Sequence, residues 1–216
     1  MPEGRVRSLQ AGDLATVAAV AYETGFFGES AARYFPDTAL FGELWARAYF
    51  LEELNGPLGF AAEAGGQFLG YIIGTADMDA YRRRFVQVLG RVAWGALRGA
   101  YPQLVGCLPY LTRAARYPGP HAPEEAYPAH LHLNLRPEAR GLGLGGALLD
   151  AYLEALRVRG AAGVQLSTTT ENTAAVALYE RRGLRVWAAR KTPLWRPWLG
   201  RDATHIVMVR TLPGGS

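Results

Sequence analysis

Lysine is almost absent from this 216-residue chain: of its 23 basic residues only Lys191 is lysine, and the rest are arginine. The net charge is only +4 and the densest basic patch is Arg82-Arg83-Arg84. The skew therefore reads as a coding bias rather than a nucleic-acid surface, and no nucleic-acid partner is expected. Cysteine is nearly absent too. The single Cys107 excludes an intrachain disulfide, and its apolar setting within residues 105–111 is that of a buried, inert thiol. No apolar run approaches the roughly 18–20 residues of a membrane-spanning helix. The first ten residues lack the apolar core of a secretory signal. A cytoplasmic protein without a membrane partner is the expectation. Internal repeats and low-complexity linkers are also missing, so residues 1–216 read as one domain.

What is present is an ordinary globular composition, 50% apolar and 19% charged. Residues 5–9 alternate as a strand, and Asp13 heads an amphipathic run that reads as a capped helix. A second helical stretch carries Leu40, Leu44, Trp45 and Tyr49. Residues 59–63 and 68–74 read as a hairpin turning at Ala64-Gly65-Gly66. Residues 80–126 interrupt the strand series as an insertion. Val86, Leu89, Val92, Ala93, Ala96, Leu97 and Ala100 sit at helical spacing, and five prolines from Pro102 to Pro123 predict irregular chain after them. The insertion reads as core cover, as a lid or wall over a substrate pocket, or as an amphipathic membrane-surface helix, and it could equally bury in a homodimer. The order of strands and helices from residue 131 onward predicts a mixed α/β sheet.

The most informative stretch is residues 131–149. Leu131, Leu133 and Leu135 alternate as a strand, Arg136-Pro137 turns, and Arg140-Gly141-Leu142-Gly143-Leu144-Gly145-Gly146 leads into a helix burying Leu148, Leu149, Tyr152, Leu153 and Leu156. Glycines at a helix start leave backbone N–H groups uncovered where the helix dipole is positive, which makes a site for phosphate or pyrophosphate. Arg140 adds a fixed charge to the same ligand. Gly141, Gly143 and Gly146 satisfy the dinucleotide fingerprint, but Pro137 separates them from the strand, and the next strand ends at Gln165-Leu166-Ser167 without the ribose-binding carboxylate. A nicotinamide or flavin oxidoreductase is thereby disfavoured. A P-loop is excluded because no Gly-Lys-Ser/Thr follows.

The run Leu135-x-Pro137-x-x-Arg140-Gly141-x-Gly143-x-Gly145-x-x-Leu148-Leu149 resembles the coenzyme A loop of the GNAT superfamily of N-acetyltransferases. The resemblance resumes at Asn172-x-x-Ala175-x-x-Leu178-Tyr179-x-x-x-Gly183 and covers residues 130–187; Leu184 stands where the family usually has Phe. Within the superfamily, Tyr127-Pro128-Ala129-His130-Leu131-His132-Leu133 and the upstream Thr24-Gly25-Phe26-Phe27-Gly28 resemble a subgroup related to the acetyltransferase-like domain of O-GlcNAcases. The implied fold is a single GNAT-like α/β domain: a bent mixed sheet splayed at its central strands, with helices on both faces.

The resemblance implies acetyl transfer from acetyl-CoA directly to a primary amine of a small molecule or peptide, with no metal. It implies that the backbone of Leu133 and Leu135 pairs with the pantetheine arm. The amides of Gly141, Leu142, Gly143, Leu144, Gly145 and Gly146 would take the pyrophosphate beside Arg140, and Asn172 would both cap a helix and touch the coenzyme. Tyr179 is the implied general acid, because a phenol beside the sulfur can protonate the departing thiolate. For a general base the sequence offers His132 and His130 on one strand face, with Glu63, Asp77, Asp79 or water as alternatives. Asn134 continues the face and is a candidate to orient substrate. Phe26, Phe27, Tyr34, Phe35, Trp94, Tyr101 and Tyr110 predict an aromatic substrate wall. The competing function is a non-catalytic GNAT-like module that holds coenzyme A or a protein.

Overall fold

The computed structural model describes residues 4–51 and 57–213. The chain opens with β1 (Gly4–Ser8), a 3-10 turn (Ala11–Asp13) and α1 (Leu14–Thr24). Asp13, expected to cap α1, does its capping one turn earlier: its carboxylate accepts the Gln10 N–H at 2.7 Å and two bonds from Arg7 at 2.7 and 3.0 Å. α2 (Thr38–Gly42) runs through a π turn (Glu43–Arg47) into α3 (Ala48–Phe50). The hairpin is β2 (Gly59–Ala64) and β3 (Gln67–Thr75). Two helices follow, α4 (Met78–Leu97) and α5 (Leu104–Arg116). The rest is β4 (Ala129–Leu135), α6 (Leu144–Val158), β5 (Gly163–Thr169), α7 (Thr173–Arg181), β6 (Arg185–Thr192), α8 (Arg196–Leu199) and β7 (Ala203–Thr211).

Seven strands form one sheet in the order β1-β2-β3-β4-β5-β7-β6, antiparallel at every junction except β4–β5. Alternation along the strands sends each residue set to its own core. On one face Ile72 and Leu131 meet Leu148, Leu149, Tyr152 and Leu156 of α6. On the other, Tyr71 and Ile73 meet Val17 and Val20 of α1, Phe41 and Tyr49. Each such large apolar side chain contributes about 1.5–3 kcal/mol by leaving water. Gly74 fixes the approach of α6: the Tyr152 hydroxyl donates to the His130 carbonyl at 2.9 Å, and a Cβ on residue 74 would collide with both groups.

The junction that matters is β4–β5. The two strands pair only at Ala129 with Val164 and His130 with Gln165. The buried Gln165 side chain closes that end by donating to the Tyr127 carbonyl at 2.9 Å and accepting from the Ala122 N–H at 3.0 Å. Beyond it the strands part, while β4 stays paired with β3 as far as Leu135. The edge of β4 over residues 131–135 therefore faces an open gap, as expected for a sheet splayed at its centre.

The insertion departs from the sequence reading. It holds two helices rather than one helix and irregular chain, and Pro109 lies inside α5. The N–H that Pro109 lacks would have served the carbonyl of Val105, whose residue is 77% exposed, so water can take that carbonyl instead. The apolar stripe of α4 points outward: Val86, Leu89 and Leu97 are exposed, and the helix buries Val88. Asp37 ties the insertion down, accepting the Leu40 N–H at 2.9 Å and the Gln103 N–H at 3.0 Å. The Pro- and Trp-rich stretch 191–201 carries α8, where a proline in the first helical turn is tolerated.

Candidate active site

The glycine loop lies at the mouth of the gap. Gly141 and Gly143 have φ of +76° and +69°, a left-handed conformation that only glycine takes at little cost. A Cβ on either would meet no protein atom, so the space above the loop is open. The first helical bond of α6 is the Ala147 N–H to the Gly143 carbonyl at 3.1 Å. The amides of Leu144, Gly145 and Gly146 thus have no carbonyl a turn earlier, although the residues themselves are buried. The Leu142 N–H is already engaged, donating to the Ala139 carbonyl at 3.3 Å. Nearby cations are sorted by pairing. Arg136 is held by Glu23 and Arg182 by Asp150, while Arg140 is exposed and makes no ion pair among the described residues. Free amides, open space and an uncommitted guanidinium fit a pyrophosphate.

Two cavities continue from the loop along β4. The outer one, of about 370 Å³, is lined by Leu133, Leu135, Arg140, Asn172 and Leu178. The central one, of about 220 Å³, is lined by Leu131, His132, Leu133, Thr168, Asn172 and Tyr179. Asn172 caps α7 by accepting the Ala175 N–H at 3.4 Å and borders both cavities. Tyr179 is brought to the gap by α7 and is buried in the core cluster that holds Leu131, Leu166 and Leu184; burial pushes its pKa above the ordinary tyrosine value, so the phenol keeps its proton at neutral pH. Phe27 leans over both cavities with φ +54°, a strained conformation for a bulky side chain, held by a two-way backbone bridge between Phe26 and Glu29 at 2.8 Å.

Of the two histidines, His132 lines the central cavity. His130 stands beside it, ring centroids 4.8 Å apart, and does not line that cavity. Burial pulls His132 down to about 4. It also lowers His130 well below the usual value, with His132 and His121 adding to the effect. Both rings are therefore neutral at pH 7, the form that accepts a proton.

The profile of the Acetyltransferase (GNAT) family matches residues 26–184, a stretch that includes the splayed strands and everything from the loop to Tyr179. The chain belongs to the GNAT acetyltransferase family. Among solved structures this GNAT protein is similar to SsHAT, at 27% identity and a TM-score of 0.66 over 98% of this chain and 100% of that one. It also shares its fold with the Salmonella typhimurium protein yncA, solved with its cofactor acetyl-CoA, at 17% identity and a TM-score of 0.60 over 99% and 96% of the two chains. Among curated proteins it matches the mycothiol acetyltransferase of Geodermatophilus obscurus, 47% identical over 66 residues, which is 31% of this chain and 21% of that protein. The counterpart from Salinispora arenicola is 52% identical over 58 residues, 26% of this chain and 19% of that protein. The chain thus spans about a fifth of the length of these relatives.

Within this GNAT domain several candidates fall away from the gap. Glu63 pairs with Arg5 and Arg7, Asp77 caps α4, and Asp79 pairs with Arg82. Asn134 lines the cavity but is tied into the scaffold, accepting from the Tyr71 hydroxyl at 3.0 Å and donating to Thr24 Oγ1 at 2.8 Å. Cys107 is buried in α5 and lines neither cavity, as a structural thiol should. The aromatic wall is only partly as expected. Phe27 borders the site, whereas Phe26, Tyr34 and Phe35 are core, Tyr110 lines a neighbouring groove, and Trp94 is exposed beneath Arg98. Residues missed from the sequence are Trp45, placed by the π turn, Trp195, and His205, whose ring burial keeps neutral. The tryptophans of residues 191–201 were the available signal, since a Trp-rich stretch between strands has to bury its rings somewhere.

Proposed function

We propose that the protein is an acetyl-CoA-dependent N-acetyltransferase that passes the acetyl group directly to a primary amine. The observation that supports this is the sequence of groups along one gap: a phosphate-competent helix start, then an unpaired strand edge, then a cavity lined by both a protonated phenol and a neutral imidazole. Bound in the gap, acetyl-CoA supplies an activated thioester; the amide C–N bond forms as the C–S bond breaks. The backbone of residues 131–135 supplies unpaired strand-edge groups for the pantetheine arm, with Leu133 and Leu135 the pairing positions. Arg140 and the amides of α6 hold the pyrophosphate. His132 accepts the proton of the attacking amine, with His130 as its neighbour, and Tyr179 gives its proton to the departing sulfur. No protein nucleophile is needed, in keeping with the remote position of Cys107.

The test follows thiol release with an amine library, using wild type and Tyr179→Phe. A general acid is worth about 10²–10⁴-fold in rate. Tyr179→Phe is expected to lose at least the lower figure while binding acetyl-CoA as before. Unchanged turnover would remove Tyr179 from the chemistry. Tight acetyl-CoA binding without transfer to any amine or slow hydrolysis would favour a non-catalytic coenzyme A-binding module.

A further inference from the structure

A third cavity, on the side of the insertion, shares two wall residues with the central one. It measures about 350 Å³, lies between α4 and α5, and is walled by Leu44, Trp45, Phe85, Leu89, Tyr110 and Leu111. His132 and Trp45 border both this groove and the central cavity. The catalytic scheme above makes no use of it. Along β4 the donor cavity borders residues 133–136, the central cavity borders 131–134, and the groove touches the strand at His132, within the span of the central cavity. We propose that the groove holds the body of the acceptor, and that the acceptor is a primary amine carried on an aromatic or branched alkyl group.

The assignment rests on the acetyl-transfer reading and adds to it the place and the kind of acceptor. Its position is the first reason, since a molecule lying between α4 and α5 ends at His132, the group proposed to take the amine's proton. Its chemistry is the second. The wall is aliphatic and aromatic apart from His132 and two phenols, Tyr110 and Tyr81, the second of which is already hydrogen-bonded to Tyr49. A sugar or a charged peptide would give up water there with little in exchange, whereas an apolar body gains. Its size is the third: about 350 Å³ falls at the lower end of small-ligand pockets and suits one ring system or branched chain. The π turn, a feature frequent at functional sites, is what aims both Leu44 and Trp45 at the groove. The burial that keeps His132 neutral would act equally on an amine held against it, favouring the uncharged nucleophile.

The experiment measures binding and turnover of 2-phenylethylamine beside glucosamine and a lysine-containing peptide, with and without acetyl-CoA. Ala114→Trp fills the groove from α5, and Leu89→Gln makes its rim polar at a 44% exposed position that tolerates substitution. The expected result is a preference for 2-phenylethylamine of roughly ten-fold or more in kcat/KM, the scale on which an apolar pocket discriminates. Ala114→Trp should weaken its binding by a similar factor and Leu89→Gln by about three-fold, with acetyl-CoA affinity unchanged in both. Polar amines used as well or better, or 2-phenylethylamine binding indifferent to both substitutions, would overturn the proposal while leaving acetyl transfer standing. Loss of acetyl-CoA binding alone, with the amine still sensitive to Ala114→Trp, would instead overturn the transferase reading and leave the groove assigned.

Discussion

Acid should destabilise this protein through His132. An unfolded histidine titrates near 6.5, whereas burial in the fold holds His132 at about 4. A depressed native value means that, between those limits, the unfolded chain carries a proton the native one refuses. The stability is complete above about pH 6.5, declines as pH falls, and is fully lost only below about pH 4. For His132 alone the loss is about 2 kcal/mol at pH 5 and about 3 kcal/mol below pH 4. His130 acts in the same direction, by burial first and then by the neighbouring ring. The assay is urea unfolding at pH 8 and pH 5 for wild type and His132→Gln. With a slope of about 1–3 kcal/mol per molar urea, the wild-type midpoint should drop by roughly 1 M more than that of the variant. Parallel pH dependence in the two proteins would refute the assignment of His132 as a buried neutral imidazole.

Three further outcomes follow from particular contacts. Gly74→Ala puts a methyl into the Tyr152 hydroxyl and the His130 carbonyl, and should cost about 1–3 kcal/mol in thermal unfolding as α6 is pushed from the sheet. Asp37→Ala strands the amides of Leu40 and Gln103 and should cost about 2–4 kcal/mol by chemical denaturation, with Asp37→Asn recovering part of it. Tyr179→Phe should cost only about 1 kcal/mol of stability, because it removes a single hydroxyl, while slowing thiol release far more.

What the sequence could tell depended on whether the cause was local. The alternation of Leu131, Leu133 and Leu135, the spacing of the α6 core and the capping Asn172 are local patterns, and each lies in the kind of element its pattern predicts. The open side of β4 followed from resemblance rather than from periodicity, since divergence from β5 is a tertiary event. The insertion was misread for the same reason. Pro109 looks like a helix breaker until the exposure of Val105 is known, and the α4 stripe has helical spacing although only Val92 of it packs on the core while Val86, Leu89 and Leu97 stay exposed. At the site, the resemblance pointed to Tyr179, and residue type offered His132 and His130 on one strand face, of which His132 lines the central cavity and His130 does not. Trp45, Trp195 and His205 reach the cavity from three distant segments, a convergence that no short motif records.

Whether the gap beside the glycine loop holds acetyl-CoA is measured by calorimetric titration, with NADH as a second ligand and Gly143→Glu as the variant. A carboxylate about 5 Å from the pyrophosphate, at an effective dielectric constant near 20, opposes it by about 3 kcal/mol, roughly a hundred-fold in affinity. The fold should bear the change, because strain at φ +69° costs about 1–2 kcal/mol and an acidic residue at a helix start returns a fraction of it. Saturable binding of acetyl-CoA, none of NADH, and a loss near a hundred-fold in a folded Gly143→Glu are the predicted results. Absence of acetyl-CoA binding, or equal affinity in the folded variant, would contradict the account.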